Sequence, residues 1–178
     1  MTDRLGTTLS RRLVFSGTIV EVSVDRVRPP DGDDLDMEIV RHPGSVVLIP
    51  QPDPHHVFLV RQYRHAVARW LWELPAGRID PGEPVDAAAR RECHEEIGWV
   101  PRTLERLGAF YATPGYCDEH MVLFRATELE PPDRPAQPDE HEHLEARLVT
   151  IADAWDLIGR DATTDLKTAL GLSLLRQV

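Results

Sequence analysis

The sequence is short of cysteine, of positive charge and of long apolar runs, and each shortage removes a class of function. Cys93 and Cys117 are its two cysteines, too few for the disulfide framework that a small secreted domain uses in place of a large core. Free thiols in a reducing compartment are the expectation. The 20 Lys+Arg stand against 30 Asp+Glu, a formal net charge of −10, which disfavours a nonspecific hold on nucleic acid or on an anionic membrane. A phosphate ligand would therefore need a mediating cation. No apolar run approaches the roughly 20 residues of a bilayer span, and the opening "MTDRLGTTLSRR" lacks the apolar stretch of a secretory signal. A cytoplasmic protein without membrane attachment is expected.

What is present suits one globular domain with a short arm: 178 residues, 42% hydrophobic and 28% charged,. "LVFSGTIVEVSVDRV" and "DMEIVRHPGSVVLIP" are rich in β-branched residues around a turn in "RPPDGDDL", and "HHVFLVRQYRHA" predicts a further strand. "LWELPAGRIDPGE" is dense in Gly and Pro and predicts a loop. "PVDAAARRECHEEIG" predicts a helix, with Pro84 at its start and Gly98 at its stop,. Two strands around a polar turn follow in "LERLGAFYATPGYCDEHMVLFRATEL", then a Pro-rich acidic stretch from Glu130 to Glu145, then helices in "IADAWDLIGR" and "DLKTALGLSLLRQV". Interleaved strands and helices without a repeat predict an α/β fold, with a strand arm over residues 1–40 and the main domain over 41–178.

The helix carries the chemistry. Glu92, Glu95 and Glu96 stand at i, i+3 and i+4, which brings their carboxylates to one side. Val85, Ala89, Cys93 and Ile97, spaced by four, make the neighbouring stripe that faces a core. Like charges at i, i+4 cost roughly 0.2–0.5 kcal/mol, so a solvated acidic face answered by Arg90 and Arg91 is the plain reading of such a pair. The loop in front argues for more. Gly77, Pro81 and Gly82 shape a tight approach to the helix, and Glu83 sits where the helix dipole favours a carboxylate. Hard cations such as Mg²⁺ bind through a few carboxylates together with substrate phosphates, so acidic cluster and anionic substrate would be two halves of one site.

Gly77, Glu83, Arg91, Glu92, Glu95, Glu96 and Gly98 match the box of the Nudix family, G-x5-E-x7-R-E-U-x-E-E-x-G-U with U a bulky aliphatic residue. Cys93 and Trp99 depart from it at the two U positions, which are packing positions. The resemblance implies an α/β/α sandwich around a mixed sheet and hydrolysis of a nucleoside diphosphate linked to another moiety, with Mg²⁺ or Mn²⁺ as cofactor. It makes Glu92, Glu95, Glu96 and the backbone carbonyl of Ala76 the metal-ligand candidates, with Glu83 and Arg91 buttressing loop and helix.

Pro114 lies 16 residues after Gly98 in "YATPGYCDEH", and this context, with Gly115 and Asp118, resembles the ADP-ribose pyrophosphatase subgroup. "VRQYR" followed by "WELPAG", "FSGTIVEV" and "IVRHPGSVVLIP" resemble it too. By that likeness Arg64 contacts the diphosphate or terminal ribose and Glu73 a substrate hydroxyl or amine. The plainer alternative makes Arg61 and Arg64 edge-strand charges, with Glu73 paired to one of them. The resemblance also places the general base in the acidic loop "QPDEHEHLEA", at Glu140 or Glu142, and implies a homodimer with exchanged N-terminal strands. One of Trp70 and Trp72 could stack on adenine. ADP-ribose is the expected substrate. A sugar nucleotide such as GDP-mannose or UDP-glucose, or a nucleotide-sensing module without catalysis, are the alternatives.

Overall fold

In the computed structural model, which describes residues 5–135, 144–159 and 164–175, the β-branched N-terminal third forms an antiparallel meander. Its strands are β1 (Thr7–Ser16), β2 (Glu21–Arg28) and β3 (Leu35–Arg41), in the order β1-β2-β3. β1 starts at Thr7 rather than at Leu13, and every residue of "TTLSRRLVFS" is exposed. Its first half carries no apolar alternation, so only pairing with β2 makes it a strand. The turn between β2 and β3 falls in "RPPDGDDL" as expected, closed by Arg28 donating to both oxygens of Asp34 at 2.7 and 3.0 Å. Residues 5–44 form one compact unit with 111–120. Val40 N–H donates to the Tyr116 carbonyl (2.7 Å) and Asp118 N–H to the Val40 carbonyl (3.2 Å), which ties the distant segment to the end of β3.

Residues 45–110 and 121–175 make the second unit. At its centre β4 (Ser45–Pro50, SVVLIP) is buried along its whole length. It runs parallel to β9 (His120–Glu130) and antiparallel to β7 (Ala76–Arg78), in a sheet ordered β7-β4-β9-β8 with β8 as Val100–Tyr111. A second sheet, β10-β5-β6, joins β10 (Glu145–Thr150), β5 (His56–Arg64) and β6 (Arg69–Glu73). Side chains of β4 alternate between two helical layers. Val46 and Leu48 share an apolar cluster with Ala88, Ala89, Cys93 and Ile97 of α1 (Val85–Ile97). Ile49 instead meets Gly171 of α3 (Leu166–Leu174), beside which α2 (Ile151–Gly159) packs. Each fully buried aliphatic side chain contributes roughly 1.5–3 kcal/mol, and the run of β4 makes it the keystone of this α/β/α sandwich around a mixed sheet.

Two stretches differ from the sequence expectation. "LWELPAGRIDPGE" is not all loop: β6 reaches Glu73 and β7 covers Ala76–Arg78, because both edges find partners in β5 and β4. "EARLVT" forms β10, which the acidic stretch concealed. Four of its six residues are exposed, so its strand character comes from the β5 ladder and not from a buried face.

Candidate active site

α1 presents the predicted stripe to the core: Ala89, Cys93 and Ile97 are buried and Val85 packs against them. Burial pushes the Cys93 thiol up to about 12, so a neutral thiol fills this aliphatic slot. Trp99 fills the other, its ring 6.4 Å from Phe58. The helix stops at Gly98, whose positive φ of 73° suits a residue without Cβ and whose N–H reaches the His94 carbonyl at 2.9 Å,.

The acidic side is not a solvated face. Glu92 is 8% exposed and Glu96 7%, and a carboxylate is buried only with strong partners. Arg91 supplies several. Its Nε and Nη2 fork onto Glu83 at 2.9 Å each, Nη2 also reaches the Arg78 carbonyl at 2.9 Å, and Nη1 donates to Glu92 (2.7 Å) and Glu95 (2.9 Å). Glu83 in turn accepts from Asp80 N–H at 3.1 Å, so a single guanidinium joins loop, strand end and helix. The hydrogen bonds from Arg91 hold the Glu83 carboxyl below its ordinary range, and Glu83 foremost raises Arg91 further. Arg90 does not answer the acidic cluster; it donates to the carbonyls of Pro101 and Arg102.

Two features bring the loop to the carboxylates. Ala76 N–H donates to Glu96 Oε2 at 3.0 Å. A Cβ added to Gly77 would run into the carboxylate of Glu92, meeting Cδ and both oxygens, so β7 lies against Glu92 as closely as glycine permits. Among the described residues, no three acidic, His or Cys side chains already converge as a metal cluster; Arg91 Nη1 stands between Glu92 and Glu95 instead. The donor set nevertheless fits a hard divalent cation: carboxylate oxygens from one helix side, two of them buried, with a strand backbone pressed against them.

Glu73 is buried at 1% exposure and lies at the end of β6. Arg64 forks onto it, Nε to Oε1 at 2.9 Å and Nη2 to Oε2 at 2.7 Å, and Lys167 Nζ bonds the same Oε2. Burial opposes ionisation of Glu73, but Arg64 and Lys167 outweigh it and hold its carboxyl below the ordinary range. The plainer sequence reading, Glu73 paired with an arginine, describes this contact, while part of the Arg64 side chain stays exposed and feels the charge of Glu96. Arg61 lies over the Trp70 ring at 5.1 Å, and Trp72 faces Arg147 at 6.0 Å. Lys167 went unrecognised in the sequence. It is the one lysine of the chain, but nothing local signals that it reaches Glu73 from 94 residues away.

In the first unit Pro114 and Gly115 are exposed in a turn where the Thr113 carbonyl accepts from Tyr116 N–H (3.2 Å) and Cys117 N–H (3.0 Å). Asp118 is engaged within its own unit, accepting from His42 N–H at 2.8 Å and Arg41 Nη1 at 3.1 Å. Arg41 Nη2 continues to the buried Asp25 at 2.7 Å, which also holds Ser23 Oγ (2.7 Å) and Arg11 Nε (3.2 Å). Burial works against the charge on Asp25, and Ser23, Arg11 and Arg41 overcome it. Glu140 and Glu142 lie outside the described residues.

Residues 40–169 match the NUDIX domain model. An ADP-ribose pyrophosphatase of Bacillus subtilis (strain 168) is 34% identical over 169 residues, covering 95% of this chain and 91% of that protein. A methanol dehydrogenase activator of Bacillus methanolicus is 33% identical with the same coverage of both chains. Among solved structures, an ADP compounds hydrolase superposes with a TM-score of 0.82 over 99% of this chain and 95% of the other at 24% identity, a likeness of fold.

Proposed function

This chain belongs to the Nudix family, and from that premise we propose that it is a divalent-metal-dependent hydrolase splitting ADP-ribose into AMP and ribose 5-phosphate. The observation that carries the reading is the burial of Glu92 and Glu96 beside Glu95, against a strand that only Gly77 allows so close. When bound, Mg²⁺ or Mn²⁺ supplies charge neutralisation on the diphosphate and an acidified water. Glu92, Glu95, Glu96 and the Ala76 carbonyl would hold it, while Glu83 and Arg91 fix the loop and helix that carry them. Arg64, already set by Glu73, presents a guanidinium to phosphate oxygens or ribose. Glu140 or Glu142 accepts the proton of the attacking water. The water oxygen bonds to one phosphorus, the bridging P–O bond breaks, and the second phosphate leaves with its electron pair. Such base assistance is typically worth ~10²–10⁴ in rate.

The turn at Pro114 and Gly115 selects the molecule in which that bond is cut. The name of the relative in Bacillus subtilis, an ADP-ribose pyrophosphatase, supports ADP-ribose as that molecule. The exposed apolar side chains of β1, Leu9, Leu13, Val14 and Phe15, support residues 1–40 as a dimerisation arm on a 41–178 hydrolase domain, in a cytoplasmic homodimer. The net charge of −10 argues against nucleic acid as a partner. Among the described residues no helix is long and apolar enough to cross a membrane.

Incubation with Mg²⁺ and ADP-ribose, NADH, GDP-mannose or UDP-glucose, following monophosphate release, tests the proposal. ADP-ribose should turn over fastest. Preference for a sugar nucleotide would replace the substrate, and binding without any turnover would indicate a sensor. Glu140→Gln should depress kcat by about 10² or more with Mn²⁺ affinity kept; full activity would move the base to Glu142.

A further inference from the structure

The chain passes from β6 to β7 through Leu74, Pro75 and Ala76, and three different elements hold these three residues. Leu74 N–H donates to Thr168 Oγ1 of α3 at 2.8 Å, the Pro75 carbonyl accepts from Leu48 N–H of β4 at 2.8 Å, and Ala76 N–H donates to Glu96 of α1 at 3.0 Å. The latter two belong to the core strand and the box helix. The first comes from the C-terminal helix, which no part of the proposed reaction uses. We propose that Thr168 is a positioning residue for the metal site, setting through Leu74 where the Ala76 carbonyl stands; this rests on the reading of Ala76 and Glu96 as metal ligands.

The hydroxyl of Thr168 is fixed in both of its roles. It donates to Asp165 Oδ2 at 2.6 Å while accepting from Leu74 at 2.8 Å, so its one proton is committed and its lone pair is aimed at the loop. Asp165 is the N-cap of α3 and also accepts from Thr168 N–H at 2.9 Å. It pairs with Lys167 at 3.0 Å, whose ammonium bonds Glu73. The first turn of α3 thus grips Glu73 by charge and Leu74 by hydrogen bond, two consecutive residues leading into the site. Thr168 is fully buried, so no water replaces it.

Packing keeps this grip close: a Cβ on Gly171, one turn further along α3, would collide with Leu74 Cδ1. Pro75 fixes its own φ near −65°, so the link from Leu74 to Ala76 is stiff. Fewer rotations are then left between Leu74 and Ala76 to absorb a shift at Leu74.

Mn²⁺ titration of the folded protein, followed by the paramagnetic resonance of free Mn²⁺ well below the melting temperature, reads the site without turnover. Thr168→Val keeps the shape and removes the hydroxyl; it should weaken Mn²⁺ binding about tenfold, the range seen when groups behind metal ligands are removed. Thr168→Ser restores the hydroxyl and should bind within about twofold of the parent. A lower melting temperature with unchanged Mn²⁺ affinity would make Thr168 merely structural and overturn the proposal. Should Thr168→Val fail to fold, Asp165→Asn, which weakens the acceptor of that hydroxyl, carries the test: weaker Mn²⁺ binding supports the proposal and unchanged binding overturns it. Glu96→Gln separates the two layers. If it binds Mn²⁺ like the parent, the ligand reading falls and the proposal with it; if it binds weakly while Thr168→Val does not, the proposal alone fails.

Discussion

Gly77→Ala isolates the close approach of β7 to the box helix. The φ of Gly77 is not positive, so alanine is compatible with the backbone and the strand pairing Val46↔Gly77 can persist. The added methyl, however, lands within the Glu92 carboxylate. Carbon atoms rest about 3.5 Å apart, so the carboxylate has to retreat by on the order of 1 Å. That motion is cheap for the fold, since the end of a glutamate side chain rotates, and it also loosens the 2.7 Å bond to Arg91 Nη1. For catalysis it is expensive: a 1 Å misplacement costs about 10²-fold, equivalent to roughly 2.7 kcal/mol of activation free energy at 1.36 kcal/mol per tenfold. Melting in EDTA should fall by only a few degrees, as for a change of about 1 kcal/mol or less, while kcat/KM for ADP-ribose drops about 100-fold and Mn²⁺ binds more weakly. Full activity of a folded Gly77→Ala would refute the argument, because Glu92 would then not need the place it occupies.

The ion cluster at Glu73 makes stability depend on pH. Its folded carboxyl is held below the ordinary 4.5, so its contribution is fully present above that pH and is lost as pH falls through the lower folded value. Glu73→Gln takes the anion from the Arg64 fork and leaves Lys167 with Asp165 alone, and urea midpoints should show the parent ahead by about 1–3 kcal/mol at pH 7, the gap closing below pH 4.5; a gap independent of pH would count against the pairing. Arg41→Met removes the link between Asp25 and Asp118 and, on the proposal that the turn at Pro114 selects the substrate, should raise KM for ADP-ribose several-fold more than it lowers kcat; equal losses in both would count against that role and assign Arg41 to global stability.

The box helix was legible because its chemistry is written locally. Carboxylates at i, i+3 and i+4 behind a glycine-shaped loop make an improbable surface, and the apolar stripe from Val85 to Ile97 fixed which way the helix turns. Less could be read where partners are distant. β10 shows no buried alternation, so its strand character exists only opposite β5. The contact of Lys167 with Glu73 and of Thr168 with Leu74 each span 94 residues, and no local pattern encodes them. Asp118 combines both: its neighbourhood "PGYCDE" suggests a ligand contact, and its partners His42 N–H and Arg41, 76 and 77 residues away, are not signalled by that stretch.

Lys167 has a practical consequence. Every other basic side chain counted among the 20 Lys+Arg is an arginine, so amine-directed reagents, which on most proteins yield mixtures, have one side-chain amine to find here. It sits in the first turn of α3 at 15% exposure, held between Glu73 and Asp165. The speed with which such a reagent consumes it becomes a clock for the opening of that turn, and a reporter group attached there would be placed at one known address.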